Sequence, residues 1–139
     1  MADKIPAYVL DSFALLAYFQ AETGGPAVRA LFEAARDSQA TLHVSLINVG
    51  EMYYIVHREQ GRERAEEMLR DLRALPIALD LASEARILAA ARIKAQYPLS
   101  YADAFVVALA QELGATVVTG DPEFKNVAAI VNVMWLTAQ

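Results

Sequence analysis

The run Ala104-Phe105-Val106-Val107-Ala108-Leu109-Ala110 is apolar at every position and lies between Ser100, a helix-opening residue, and Gly114, a helix-closing one. A helix that is apolar all round has no face to present to water, so it belongs at the centre of a fold. Thr116-Val117-Val118-Thr119 follows at once as a strand, bounded by Gly114 and by the turn residues Gly120-Asp121-Pro122. The rest of the chain must be arranged around that helix and strand.

Upstream, strands and helices alternate. Tyr8-Val9-Leu10 reads as a short buried strand stopping at Asp11, and Phe13, Leu15, Leu16, Ala17 and Phe19 give a helical pattern closed by Gly24-Gly25. Pro26 suits the first turn of a second helix reaching about Ala35, because its missing N–H costs nothing there. Thr41-Leu42-His43-Val44 is a second strand, and Ser45 caps a helix from Leu46 to Gln60. Beyond Gly61, an amphipathic helix from Arg62 to Leu75 ends before Pro76. Ile77-Ala78-Leu79 is a third strand, Ser83 to Ala95 a helix, Ser100 to Leu113 the apolar helix, and Ile130 to Trp135 a last strand. With no linker or repeat, this order predicts one domain over residues 1–139, a three-layer α/β/α sandwich on a mainly parallel sheet. Ligands of such sheets gather at the carboxyl ends of the strands, where Asp11 and Asp121 fall.

The chain has no cysteine, which removes disulfides, thiolate metal sites and cysteine nucleophiles; oxygen ligands and two histidines remain. A net charge of −5 argues against a general nucleic-acid binder, which draws most of its affinity from neutralising phosphates. It does not exclude a nuclease, because divalent cations held by converging acids reverse the local field. The N-terminal residues lack a signal-peptide pattern and no apolar stretch reaches bilayer length, so a soluble, cytoplasmic protein is expected.

Each acid has a structural reading of its own. Asp11 suits a helix N-cap, Asp103 stands three residues after Ser100 in capping-box spacing, and Asp121 sits among turn residues. Glu51 lies in an apolar helix, where an unpaired carboxylate is costly to bury. Asn48, three residues earlier, shares its face and is expected either to support Glu51 or to cap the helix. Taken together, the acids occupy two strand ends and two helix starts that the expected architecture brings together. Convergent carboxylates resist joint ionisation unless a cation is bound, and oxygen ligands without thiolate point to Mg²⁺ or Mn²⁺ and a phosphodiesterase site. His43, in a strand, and His57, among surface charges, read as structural or solvated.

Four segments, Tyr8-Val-Leu-Asp11-Ser12-Phe-Ala-Leu-Leu, Ser45-Leu-Ile-Asn48-Val-Gly-Glu51, Leu99-Ser-Tyr-Ala-Asp103-Ala-Phe and Val118-Thr119-Gly-Asp121-Pro-Glu-Phe124, resemble those of PIN domains in order and spacing. The likeness is to the VapC-type toxins of toxin–antitoxin pairs. It implies a metal-dependent ribonuclease with Asp11, Glu51 and Asp103 as the main metal shell and Asp121 completing it or acting through water. Thr119 would be the polar residue near the metal, with Ser12 and Asn48 in support. The resemblance also implies an RNA substrate, a homodimer and a cognate antitoxin. Glu123 is a second carboxylate beside the fourth acid and leaves open which of the two completes the site. Met52 to Val56 reads as a core-facing helix or as a dimer or partner face.

Phosphatases that form an aspartyl-phosphate want a second Asp where Phe13 stands, and no Gly-rich phosphate loop is present. The remaining alternative is a catalytically silent PIN-like module that binds RNA or protein, against which intact acids at all four positions speak.

Overall fold

The computed structural model describes residues 4–136. Five strands, β1 (Ala7–Leu10), β2 (Thr41–Ser45), β3 (Ala78–Asp80), β4 (Thr116–Thr119) and β5 (Val133–Trp135), form one sheet in the order β3-β2-β1-β4-β5. Every pairing is parallel, with Tyr8 opposite Leu42 and Thr116, and Thr119 opposite Trp135. The sheet is thus wholly parallel, and its carboxyl-end residues Leu10, Ser45 and Thr119 come to one edge. Six α-helices connect the strands: α1 (Ser12–Phe19), α2 (Gly25–Arg36), α3 (Leu46–Gln60), α4 (Arg62–Arg73), α5 (Glu84–Gln96) and α6 (Tyr101–Leu113). Among the described residues no helix is long and apolar enough to cross a membrane.

The two sheet faces can be read from alternate residues of the central strands. Val9 and Val117 pack with Val106, Val107 and Phe124, while Leu10 and Val118 pack with Leu15, Val28, Val49 and Met52 on the other side. Successive strand residues point to opposite faces, so each face of the sheet is covered by its own helical layer. α6 fulfils the expectation drawn from its composition: Asp103 through Ala110 are all buried, and the helix ends on Gly114 at φ 61°. Met52 and Val56 of α3 are core residues, whereas Tyr54 on the same stretch is exposed.

Several boundaries depart from the sequence pattern, among them that of α4, which ends at Arg73 rather than Leu75. α1 stops at Phe19 rather than running to Gly24-Gly25, and Gly25 instead opens α2. β3 is shifted by one residue and includes Asp80, whose Oδ2 lies 2.8 Å from Nδ1 of His43 on the neighbouring strand. His43, expected to be structural or solvated, is half-buried in β2 against Asp80. The last strand begins only at Val133, because the preceding chain forms a 3₁₀ helix (Pro122–Val127) and turns. Ile130 donates its N–H to Val127, and Val127, Ile130 and Val131 pack on the core without joining the ladder. A buried turn and a buried strand have the same apolar signature.

α1 and α2 meet at the backbone of Gly25, where a Cβ would fall 2.7 Å from the Ala17 carbonyl oxygen. Gly25→Ala is therefore expected to destabilise the protein by about 1–3 kcal/mol, measured as a lower urea midpoint with an unchanged slope.

Candidate active site

Asp11 follows the last residue of β1 and opens α1. Its Oδ1 accepts the Ala14 N–H at 2.8 Å, so it is the N-cap that its position suggests. Its Oδ2 accepts the hydroxyl of Thr119, at the end of the adjacent strand β4. Asp11 is 1% exposed and Thr119 is fully buried. The same Thr119 oxygen accepts the Asp121 N–H at 2.9 Å, and Asp121 Oδ1 accepts the Glu123 N–H at 2.9 Å to cap the 3₁₀ helix. One hydroxyl thereby joins the first acid to the turn carrying the fourth.

Glu51, one turn into α3, is half-buried, and its Oε1 accepts the Ser12 hydroxyl at 2.6 Å. Asn48 neither supports Glu51 nor caps α3. Ser45 is the cap, accepting the Ile47 N–H, while Asn48 Nδ2 donates to the Ala102 carbonyl at 3.2 Å and ties α3 to the start of α6. Asn48 is fully buried and its Oδ1 accepts no hydrogen bond among the described residues.

Asp103 completes only half of the capping box. Ser100 Oγ accepts the Asp103 N–H at 3.1 Å, but the Ser100 N–H goes to Glu123 Oε1 at 2.9 Å rather than back to Asp103. Asp is one methylene shorter than the Glu usual at this position, and a carboxylate from the 3₁₀ helix takes over. The Asp103 side chain is left buried without a capping duty. Sequence reading missed this division of labour because Ser100 and Glu123 are 23 residues apart; the short side chain at the box position was the one local sign.

The electrostatics follow from burial. The Asp11 carboxyl is pushed up to about 7, first by desolvation and then by the charges of Asp103 and Asp121, against the lowering effect of the Thr119 and Ala14 hydrogen bonds. Asp103 is likewise raised to about 7 by burial and then by Asp121, with Glu51 and Glu123 adding to it against the Ser100 hydrogen bond. Asp11, Glu51, Asp103, Asp121 and Glu123 therefore share one neighbourhood. None belongs to an ion pair among the described residues, where the pairs are Arg29–Glu33, His43–Asp80, Arg64–Glu67 and Arg86–Glu112.

An all-oxygen, uncompensated donor set has the chemistry a hard divalent cation requires. Among the described residues no group of three or more His, Asp or Glu side chains is disposed to hold an ion by itself. Mg²⁺ commonly takes one or two carboxylates and completes its shell with water and substrate phosphate. The residues fit an open site of that kind, and not a closed protein cage.

A parallel sheet with acids at its carboxyl edge defines a class, that of α/β proteins whose ligands dock at the strand ends. The PIN domain family model matches residues 8–130, and the chain belongs to that family. Solved structures agree in fold. VapBC from Salmonella typhimurium, bound to DNA, superposes with a TM-score of 0.74 at 15% identity, covering 95% of this chain and 99% of that one. VapBC2 from Rickettsia felis, bound to a fragment of its promoter DNA, gives 0.72 at 17%, covering 94% and 99%. VapC20 from Mycobacterium tuberculosis, a toxin that cleaves the sarcin-ricin loop, gives 0.70 at 15%, covering 91% and 98%. No curated protein matches.

An acid whose folded pKa is raised stabilises the fold only while protonated, so this contribution is present near pH 4 and lost as pH rises through about 7. In EDTA, Asp11→Asn is expected to lose less melting temperature than the unsubstituted protein between pH 4 and 7.5, as followed by circular dichroism. Asn retains the capping acceptor and has no proton to lose.

Proposed function

We propose that this chain is a divalent-metal-dependent endoribonuclease, the toxin of a type II toxin–antitoxin pair. The observation that carries the reading is the pair of buried carboxylates, Asp11 and Asp103, neither of which has an ion-pair partner among the described residues. A carboxylate is costly to bury without a positive partner, and such groups cluster at functional sites.

Asp11, Glu51 and Asp103 would hold Mg²⁺ or Mn²⁺, with Asp121 completing the set directly or through water. Glu123, engaged with the Ser100 N–H, is the weaker candidate for that fourth role. When bound, the ion lowers the pKa of a coordinated water and offsets charge on the scissile phosphate. The chain's own residues do the positioning. Thr119 holds Asp11 in one orientation, Ser12 holds Glu51, and Asn48 fixes the start of α6 next to Asp103. The product is an RNA strand hydrolysed at one phosphodiester bond.

The assignment as a toxin is supported by the likeness to VapBC proteins, two of them solved as complexes on DNA. The reading carries with it a cognate antitoxin, a homodimer and a cytoplasmic location.

Asp11→Asn, Glu51→Gln and Asp103→Asn are each expected to abolish cleavage of RNA by the purified protein in Mg²⁺ or Mn²⁺ while leaving the circular dichroism spectrum unchanged. Asp121→Asn should be milder, and Glu123→Gln should retain cleavage. Thr119→Val should weaken metal affinity by about 10–100-fold through loss of the Asp11 hydrogen bond. Cleavage that persists in EDTA, or at near-normal rate in any of the first three variants, would overturn the assignment.

A further inference from the structure

Beside the acids lies a concave pocket of about 660 Å³ whose lining has a different character. Phe13, Gly120, Pro122, Lys125 and Trp135 contribute to it. Phe13 is two residues beyond Asp11 and 41% exposed, and Gly120 separates Thr119 from Asp121. Trp135 is the register partner of Thr119. The pocket is therefore lined by residues one or two positions from Asp11 and Asp121, although neither acid lines it itself.

Its construction is specific. A Cβ at position 120 would fall 2.5 Å from Phe13 Cζ and 2.8 Å from the Leu136 carbonyl oxygen, so the Phe13 ring is seated on bare backbone. An exposed aromatic held on a glycine floor, a second aromatic on the neighbouring strand and one lysine make up a set of groups suited to one kind of ligand. Lys125 is the only basic residue among the described lining residues and has no ion-pair partner among the described residues.

We propose that this pocket is a nucleobase subsite, in which Phe13 and Trp135 receive an unpaired base of the RNA next to the scissile bond and Lys125 meets the adjoining phosphate. The inference rests on the ribonuclease reading and deepens it: the substrate is single-stranded at this position, because a base held in a duplex cannot reach a stacking pocket. It also accounts for how a chain of net charge −5 holds RNA. Nucleic-acid affinity usually comes from phosphate neutralisation, which is scarce here, whereas stacking is indifferent to net charge.

Trp135 is the only tryptophan in the chain, which gives a readout independent of cleavage. A short single-stranded oligoribonucleotide is expected to quench the tryptophan fluorescence, and the same strand with abasic sites is not. Phe13→Ala should raise KM for cleavage about tenfold, with a smaller change in kcat. Phe13→Tyr should restore KM and Phe13→Leu should not, which separates stacking from mere filling of space. Lys125→Gln should reduce the salt dependence of KM by about one phosphate contact. Equal quenching by abasic RNA, or an unchanged KM in Phe13→Ala, would overturn the subsite while leaving the ribonuclease assignment standing. Base-dependent quenching in a protein that cleaves no RNA would retain the subsite and remove the nuclease. Loosened binding of the antitoxin in Phe13→Ala, with RNA cleavage unaffected, would give the pocket to a protein partner and overturn the proposal.

Discussion

Asp11 is buried beside other acids with no ion-pair partner among the described residues, and much of the site is arranged to make that tolerable. Burial raises the cost of its charge, and Asp103 and Asp121 raise it further. Against these stand two hydrogen bonds, from the Ala14 amide and the Thr119 hydroxyl. The first comes from α1 and the second from β4, so the carboxylate is held where a strand end, a helix start and a neighbouring strand meet. Parallel pairing of β1 with β4 is what brings Thr119 to that point. In an antiparallel arrangement the ends of the two strands would lie at opposite edges.

The structural and functional readings of the acids are not rivals. Asp11 caps α1, as local sequence rules suggest, and Asp121, read there as a turn residue, caps the 3₁₀ helix, yet both also belong to the shared field. A carboxylate has two oxygens and several lone pairs, so one hydrogen bond to a backbone amide does not exhaust it. Asp103 shows the complementary case. Its expected reciprocal cap is made by Glu123, which leaves Asp103 without that constraint.

What could be read beforehand divides along physical lines. The elements themselves were legible because apolar spacing, caps and Gly or Pro breaks are local properties, and the apolar run of α6 pointed correctly to the centre of the fold. The end of α1, the start of β3 and the late onset of β5 were not, since only tertiary contacts decide whether residues such as Val127 and Ile130 are buried in a turn or in a strand. At the site, residue types and their places on strand ends were visible; who bonds to whom was not. Asn48 is the clearest instance. Its spacing from Glu51 suggested a partnership along one helix, but its amide reaches across to Ala102 on α6.

The contact between Asp11 and Thr119 spans 108 positions of the chain. At synthesis rates of about 5–20 residues per second, the first acid is made roughly 5–20 s before the hydroxyl that orients it. Glu51 and Asp103 are also in place before Thr119, but β4 has yet to join the sheet beside β1. The order of residues thus acts as a delay. A growing chain carries Asp11 and Glu51 before it carries the Thr119 hydroxyl that holds the first of them in one orientation.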